Sequence, residues 1–137
     1  MFKKTALIFA AIIFCFCFYS LYAFKRPVFG AYADKFELYL SSGSSGTNIV
    51  YATGRDYASF GGIKGESCYV SVSYERVLKD FSATHVFSET TECGESYYAY
   101  SPRLKYRIIL NGRRVNIHYY AGDKQNKLGT PIIFGGY

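Results

Sequence analysis

Residues 103–120 read RLKYRIIL-NG-RRVNIHYY, and they constrain the fold more than any other stretch of the chain. Two alternating runs flank Asn111-Gly112, the dipeptide that most readily takes positive φ at both central positions of a type I′ turn. A two-residue loop fixes the register. It sets Leu110 opposite Arg113, Ile108 opposite Val115, Tyr106 opposite Ile117 and Leu104 opposite Tyr119. That side is almost wholly apolar and is expected to be core. The other side carries Arg103, Lys105, Arg107 and Arg114 with Ile109, Asn116, His118 and Tyr120. It is a basic strip with an imidazole and an aromatic ring set among cations.

The start of the chain has a different character. Lys3 and Lys4 precede an uncharged apolar run, and Ala23 offers a small residue at a cleavage position. Residues 1–23 are therefore expected to act as a signal peptide or an N-terminal membrane anchor. The run is long for the first and short for the second, since a spanning helix needs roughly 20 apolar residues. Lys25 and Arg26 balance Lys3 and Lys4, so flanking charge does not choose an orientation. Both readings place the rest of the chain outside the cytoplasm, secreted or tethered by residues 5–22.

The residues that follow suffice for one domain with a single core. Residues 24–35, with Pro27 and Gly30, read as a linker, and residues 36–137 as one α+β domain. Tyrosine is abundant, at 15 residues, which suits half-exposed sheets where the ring packs and the hydroxyl stays wet. The net charge of +6 is unevenly spread. Residues 24–100 hold seven Lys/Arg against nine Asp/Glu, whereas residues 101–137 hold seven against one. The basic character belongs to the hairpin and its neighbours.

Cys68 and Cys93 lie outside the targeting segment, and an even pair in an exported chain reads as a disulfide. Closing that loop would stabilise by roughly 3–4 kcal/mol in the chain-entropy model; the alternative is two buried thiols. No C-x-x-C or H-x-x-x-H spacing is present, so no metal site and no cofactor are expected.

Between these landmarks the chain alternates strand and turn. Residues 36–40 set Phe36, Leu38 and Leu40 against Glu37 and Tyr39, a half-buried strand. Residues 41–48 are a Ser/Gly loop, residues 48–52 and 66–71 short strands. Ser73 reads as an N-cap, followed by Tyr74, Val77, Leu78 and Phe81 along one helical stripe. Strands follow at 84–88 and 96–100, the latter stopped by Pro102, and GTPIIFGGY closes the chain as an edge-like strand. Short connections favour antiparallel pairing. The expected architecture is a curved antiparallel sheet of about six to eight strands, with one or two helices packed on one face.

From Val77 onward the pattern resembles the C-terminal half of the YwmB family, exported proteins of Gram-positive bacteria with a TATA-box-binding-protein-like fold. The residues carrying the resemblance are VLKDFSA (77–83), SYYAYS (96–101), VNIH (115–118) and GTPIIFGGY (129–137). It implies a curved sheet with helices on one face and an envelope setting. It carries over no catalytic residues.

No nucleophile elbow and no framed pair of carboxylates is present, so no catalytic residue is assigned and catalysis is disfavoured. His85 reads as a packed or surface histidine. His118 is expected beside Lys105, which would lower its proton affinity. The strip of Arg103, Lys105, Arg107, Arg114, His118 and Tyr120 has ingredients of nucleic-acid binding, but an exported chain of modest charge argues against it. The expectation is a non-catalytic binding module of the cell envelope, meeting an anionic polymer, a lipid surface or a protein partner. The alternative for the strip is a solvated outer face.

Overall fold

The computed structural model of the protein describes residues 2–23, 25–41 and 47–136, and most of the Ser/Gly loop expected at 41–48 lies outside them. The first element, α1 (Phe2–Ala23), is long and apolar enough to cross a membrane, and the side chains described along it are exposed. The remainder is α+β. In chain order come β1 (Lys35–Ser41), β2 (Thr47–Thr53), a 3-10 turn (Tyr57–Ser59), β3 (Ile63–Val70), α2 (Tyr74–Asp80), β4 (Thr84–Thr91) and β5 (Gly94–Tyr100). They are followed by β6 (Ile108–Leu110), β7 (Arg113–Val115), β8 (Ile117–Gly122) and β9 (Asn126–Thr130). Among the described residues, seven strands form one antiparallel sheet in the order β2-β1-β3-β9-β8-β5-β4, and β6 pairs with β7 alone.

Alternation decides the two faces. Phe36 and Leu38 on β1, Cys68 and Val70 on β3, Leu128 on β9, Ile117 and Tyr119 on β8 and Ala99 on β5 gather into one core. Val77 of α2 packs into it and is fully buried, worth roughly 2 kcal/mol as apolar area removed from water. The helix begins as its sequence predicts: Ser73 Oγ accepts the Arg76 amide at 3.3 Å. It ends in a Schellman closure, with Ala83 N donating to Leu78 O at 2.8 Å and Ser82 N to Lys79 O at 3.3 Å.

The middle of the stretch expected to be a linker packs into the core instead, through Val28, Phe29, Tyr32 and Ala33. Phe29 is 0% exposed and packs edge-on against Phe81 at 5.5 Å, with Tyr32 beside both rings. Glu66, also fully buried, holds the segment in place. Its carboxylate accepts Val28 N at 2.8 Å, Phe29 N at 3.3 Å and Tyr57 Oη at 2.9 Å. Pro27 and Gly30 make a turn (Gly30 N to Pro27 O, 3.4 Å), not a spacer.

The hairpin has its predicted turn but stops short of its predicted length. Asn111 and Gly112 both have positive φ, at 51° and 72°, and the pairs 110–113, 109–114 and 108–115 form as expected. Pairing then ends because Asn116 is fully buried and bonds elsewhere. Its side-chain amide accepts Ser101 N and donates to Ser101 O, each at 2.7 Å, while its own N–H reaches Ala99 O. Ile117 therefore pairs with Ala99 of β5, and Tyr119 with Tyr97, instead of Tyr106 and Leu104. Val115, Ile117 and Tyr119 are buried, while Leu104, Tyr106 and Ile108 are only half-buried.

Two further expectations are corrected. The terminal stretch is no edge strand: β9 lies in the sheet's interior and ends at Thr130, before the cis Pro131. Cys68 and Cys93 are free, the first buried and the second exposed. Cys68 lies on β3 and Cys93 in the turn entering β5, three strand spacings away. At about 4.8 Å per spacing that separation is about twice what a disulfide spans.

Candidate functional site

The sheet's second face, opposite α2, carries the candidate site. Two cross-sheet rows line it. The first runs Tyr51, Glu37, Ser67, Gly129, His118, Tyr98 and Phe87 from β2 to β4, each paired with the next. The second runs Tyr69, Lys127, Tyr120, Ser96 and Glu89.

At one end of the first row, Phe87, Tyr98 and His118 stack at 4.5 and 4.4 Å. Beyond them the chain folds back at Pro131, and residues 131–136 lie across the middle of the face. Ile133 seats over Gly129, where an added Cβ would come within 2.8 Å of its Cγ1. Phe134 stands edge-on to Tyr39 at 4.6 Å. Lys127 Nζ donates to Gly136 O at 2.8 Å and forms an ion pair with Glu37 at 2.8 Å. The lysine side chain is 1% exposed and Glu37 16%. Ser67 Oγ donates to the same Glu37 oxygen at 3.2 Å, which leaves it to accept from Tyr39 Oη at 2.6 Å. A buried charge is tolerated only where its partners are supplied this fully.

Beside the fold-back segment the face is open. A depression of about 290 Å³ is lined by Tyr51, Glu37, Ser67, Tyr69 and Lys127, among others. A second, of about 280 Å³, adjoins it through Tyr69 and Lys127 and runs past Tyr120 to Cys93 and Lys124. Together they form a groove with aromatic walls and the Lys127–Glu37 pair at its floor. Tyr51 is 78% exposed and Tyr69 46%, so both rings are available as contact surface. Such a site offers apolar faces with a few fixed polar groups, the usual composition of a ligand cleft.

The structure disperses the basic strip. Arg103 donates to Asp80 O at the end of α2 (3.0 Å), Lys105 lies 5.8 Å over Tyr106, and Arg107 is exposed to solvent. Arg114 stands over Tyr100 at 5.8 Å. His118 and Tyr120 are buried, at 2% and 6% exposed, because the strand beyond Asn116 joins β5 and β9 and its second face is covered. Tyr120 nevertheless lines the groove. His118 has Gly129 and Tyr98 as cross-strand neighbours, not Lys105; its pKa falls to about 4 through burial.

The chemistry of His118 is fixed by its partners. Ile133 N donates to Nδ1 at 3.1 Å, so Nε2 carries the proton and donates to Ser96 Oγ at 3.1 Å. In that tautomer the imidazole cannot take a proton from Ser96. His85 is exposed, and its Nδ1 lies 2.9 Å from Tyr74 Oη. Among the described residues, no three His, Cys, Asp or Glu side chains come together as a metal site.

The chain matches no family model, no curated protein and no solved structure.

Sequence reasoning missed the groove's members. Tyr51, Tyr69 and Lys127 come from β2, β3 and β9, which are brought together because β1 pairs with both β2 and β3 and the chain's last strand returns to pair with β3. The signal available was the alternation of Glu37 and Tyr39 against Phe36 and Leu38, which marks a second face that is polar and aromatic.

Proposed function

We propose that the protein is a non-catalytic binding module of the cell envelope, held outside the cytoplasm and secreted or tethered by α1, that takes its ligand in the tyrosine-lined groove. The observation that carries this reading is the pairing of exposed Tyr51 and Tyr69 with a buried Lys127–Glu37 floor. Rigid rings on strands offer contact area at little entropic cost, and the floor supplies fixed polar contacts. The apolar α1 supports the location. The ligand class is an envelope component, polymer or protein, long enough to run along adjoining depressions.

The test is co-sedimentation of the full chain, in detergent micelles, with purified cell-wall polymer and with envelope protein fractions. Three forms are compared: wild type, Tyr51→Ala/Tyr69→Ala, and Arg107→Glu/Arg114→Glu. Retention is expected to fall at least tenfold in the tyrosine variant and little in the charge-reversed one. Equal retention of wild type and the tyrosine variant would remove the groove from consideration. Loss in the charge-reversed form alone would return the binding surface to the arginines.

A further inference from the structure

A second surface lies where the chain leaves α1. Lys25 and Arg26 follow the helix by two and three residues, within roughly 10 Å of its end along the chain. Lys105, remote in sequence, is brought to the same place. The three cations line a cleft of about 330 Å³ whose remaining walls include Val28, Tyr57, Ile63 and Tyr106. None of its described lining residues is acidic. The nearby carboxylate, Glu66, is fully buried and engaged by Val28, Phe29 and Tyr57. Lys25, Arg26 and Lys105 are all exposed.

This arrangement differs from a run of basic residues beside a membrane helix. Tyr106 donates its hydroxyl to Ile63 O at 3.0 Å, pinning the loop that carries Lys105 against β3. Tyr57 is pinned from the other side through Glu66. The fold thus fixes the cleft's aromatic walls and the loop bearing the third cation. The apolar walls match the glycerol and upper acyl region of a lipid, and the cations match its phosphate.

We infer that this cleft is a binding site for the phosphate-bearing headgroup of an anionic membrane lipid, in the leaflet where α1 ends. Lys25 and Arg26 meet the headgroup from the chain's membrane side, and Lys105 closes on it from the domain. The site stands whether or not the groove on the sheet's second face binds a ligand. It requires that α1 remain attached.

The experiment reconstitutes the full chain, with α1 verified intact by mass, into nanodiscs of phosphatidylcholine alone or with phosphatidylglycerol. Lipid preference is read by native mass spectrometry of the lipids retained after disc disruption. Wild type is expected to retain phosphatidylglycerol preferentially, and Lys105→Gln to lose roughly fivefold of that preference, as one cation near an anionic surface predicts. Lys79→Gln removes the same charge from an exposed position on α2, outside both the cleft and the groove, and is expected to change nothing. Melting temperature in the two disc types is the second readout, and only the wild type and Lys79→Gln are expected to gain from phosphatidylglycerol. Equal losses in the two lysine variants would assign the preference to net charge and overturn the cleft. Equal retention of both lipids by wild type would overturn it as well. Inorganic phosphate reproducing the thermal gain in phosphatidylcholine discs would assign the cleft to soluble phosphate and overturn the lipid.

Discussion

The amide of Ile133 donates to Nδ1 of His118 at 3.1 Å, tying the fold-back segment to the interior of the sheet. Nδ1 can accept that bond only while the imidazole is neutral. Burial among Tyr98, Ser96, Gly129 and the segment itself lowers the pKa to about 4. The unfolded chain takes up the proton near pH 6.5 and the folded chain does not until about pH 4. This contribution is therefore complete above pH 6.5 and is lost as pH falls toward 4, up to about 3 kcal/mol in all. Hydrogen exchange at the Ile133 amide should accelerate over that window in the wild type. In His118→Gln the stability change between pH 6.5 and 4 should shrink by the same amount; an unchanged slope would refute the assignment.

Glu66 acts in the opposite sense. Burial, the dominant influence, holds its carboxyl above the usual glutamate range despite the three donors that favour the anion. A raised folded value means a contribution fully present below the ordinary glutamate pKa and lost as pH rises through the folded one. Glu66→Gln should flatten that part of the profile. Glu66→Ala leaves two buried amides and a phenol without an acceptor and should cost about 3 kcal/mol, measured by urea unfolding at neutral pH. Exchange at Val28 and Phe29 should rise together.

Ser82 closes α2 with φ of 50°, a conformation that L side chains disfavour. Glycine takes it freely. Ser82→Gly should gain about 1 kcal/mol and raise the melting temperature by about 4 °C. No change in a thermal melt would mean that the serine side chain contributes a compensating contact.

The two domain cysteines should behave as unlike thiols. Burial pushes the Cys68 thiol up to about 12, and the residue is 2% exposed, whereas Cys93 is exposed. A maleimide should label Cys93 in the native protein and reach Cys68 only on unfolding. Reducing agent should leave the melting temperature unchanged, and a shift would restore the disulfide expected of an even cysteine pair in an exported chain.

How far the sequence could be read depended on whether a feature was local. Asn111-Gly112 and Ser73 declare their conformations within four residues, and both are found as expected. The class of fold followed from alternation and short connections. What failed was non-local. Asn116 looks like one more polar position in an alternating strand, yet its amide satisfies both backbone groups of Ser101 and ends the hairpin. Val28 and Phe29 sit between Pro27 and Gly30 and read as a spacer until Glu66, remote in sequence, captures their amides. The groove depends on which strands become neighbours, and alternation within a strand cannot supply that.

The place of β9 has a consequence for how such a chain could be delivered. Among the described residues, β9 alone joins the β2-β1-β3 half of the sheet to the β8-β5-β4 half. Every other strand precedes it in the sequence. A chain threaded through a translocation channel with α1 leading would hold two unjoined half-sheets until residues 126–130 emerged. The domain then could not lock prematurely inside the channel, and its last-arriving strand would serve as the bolt.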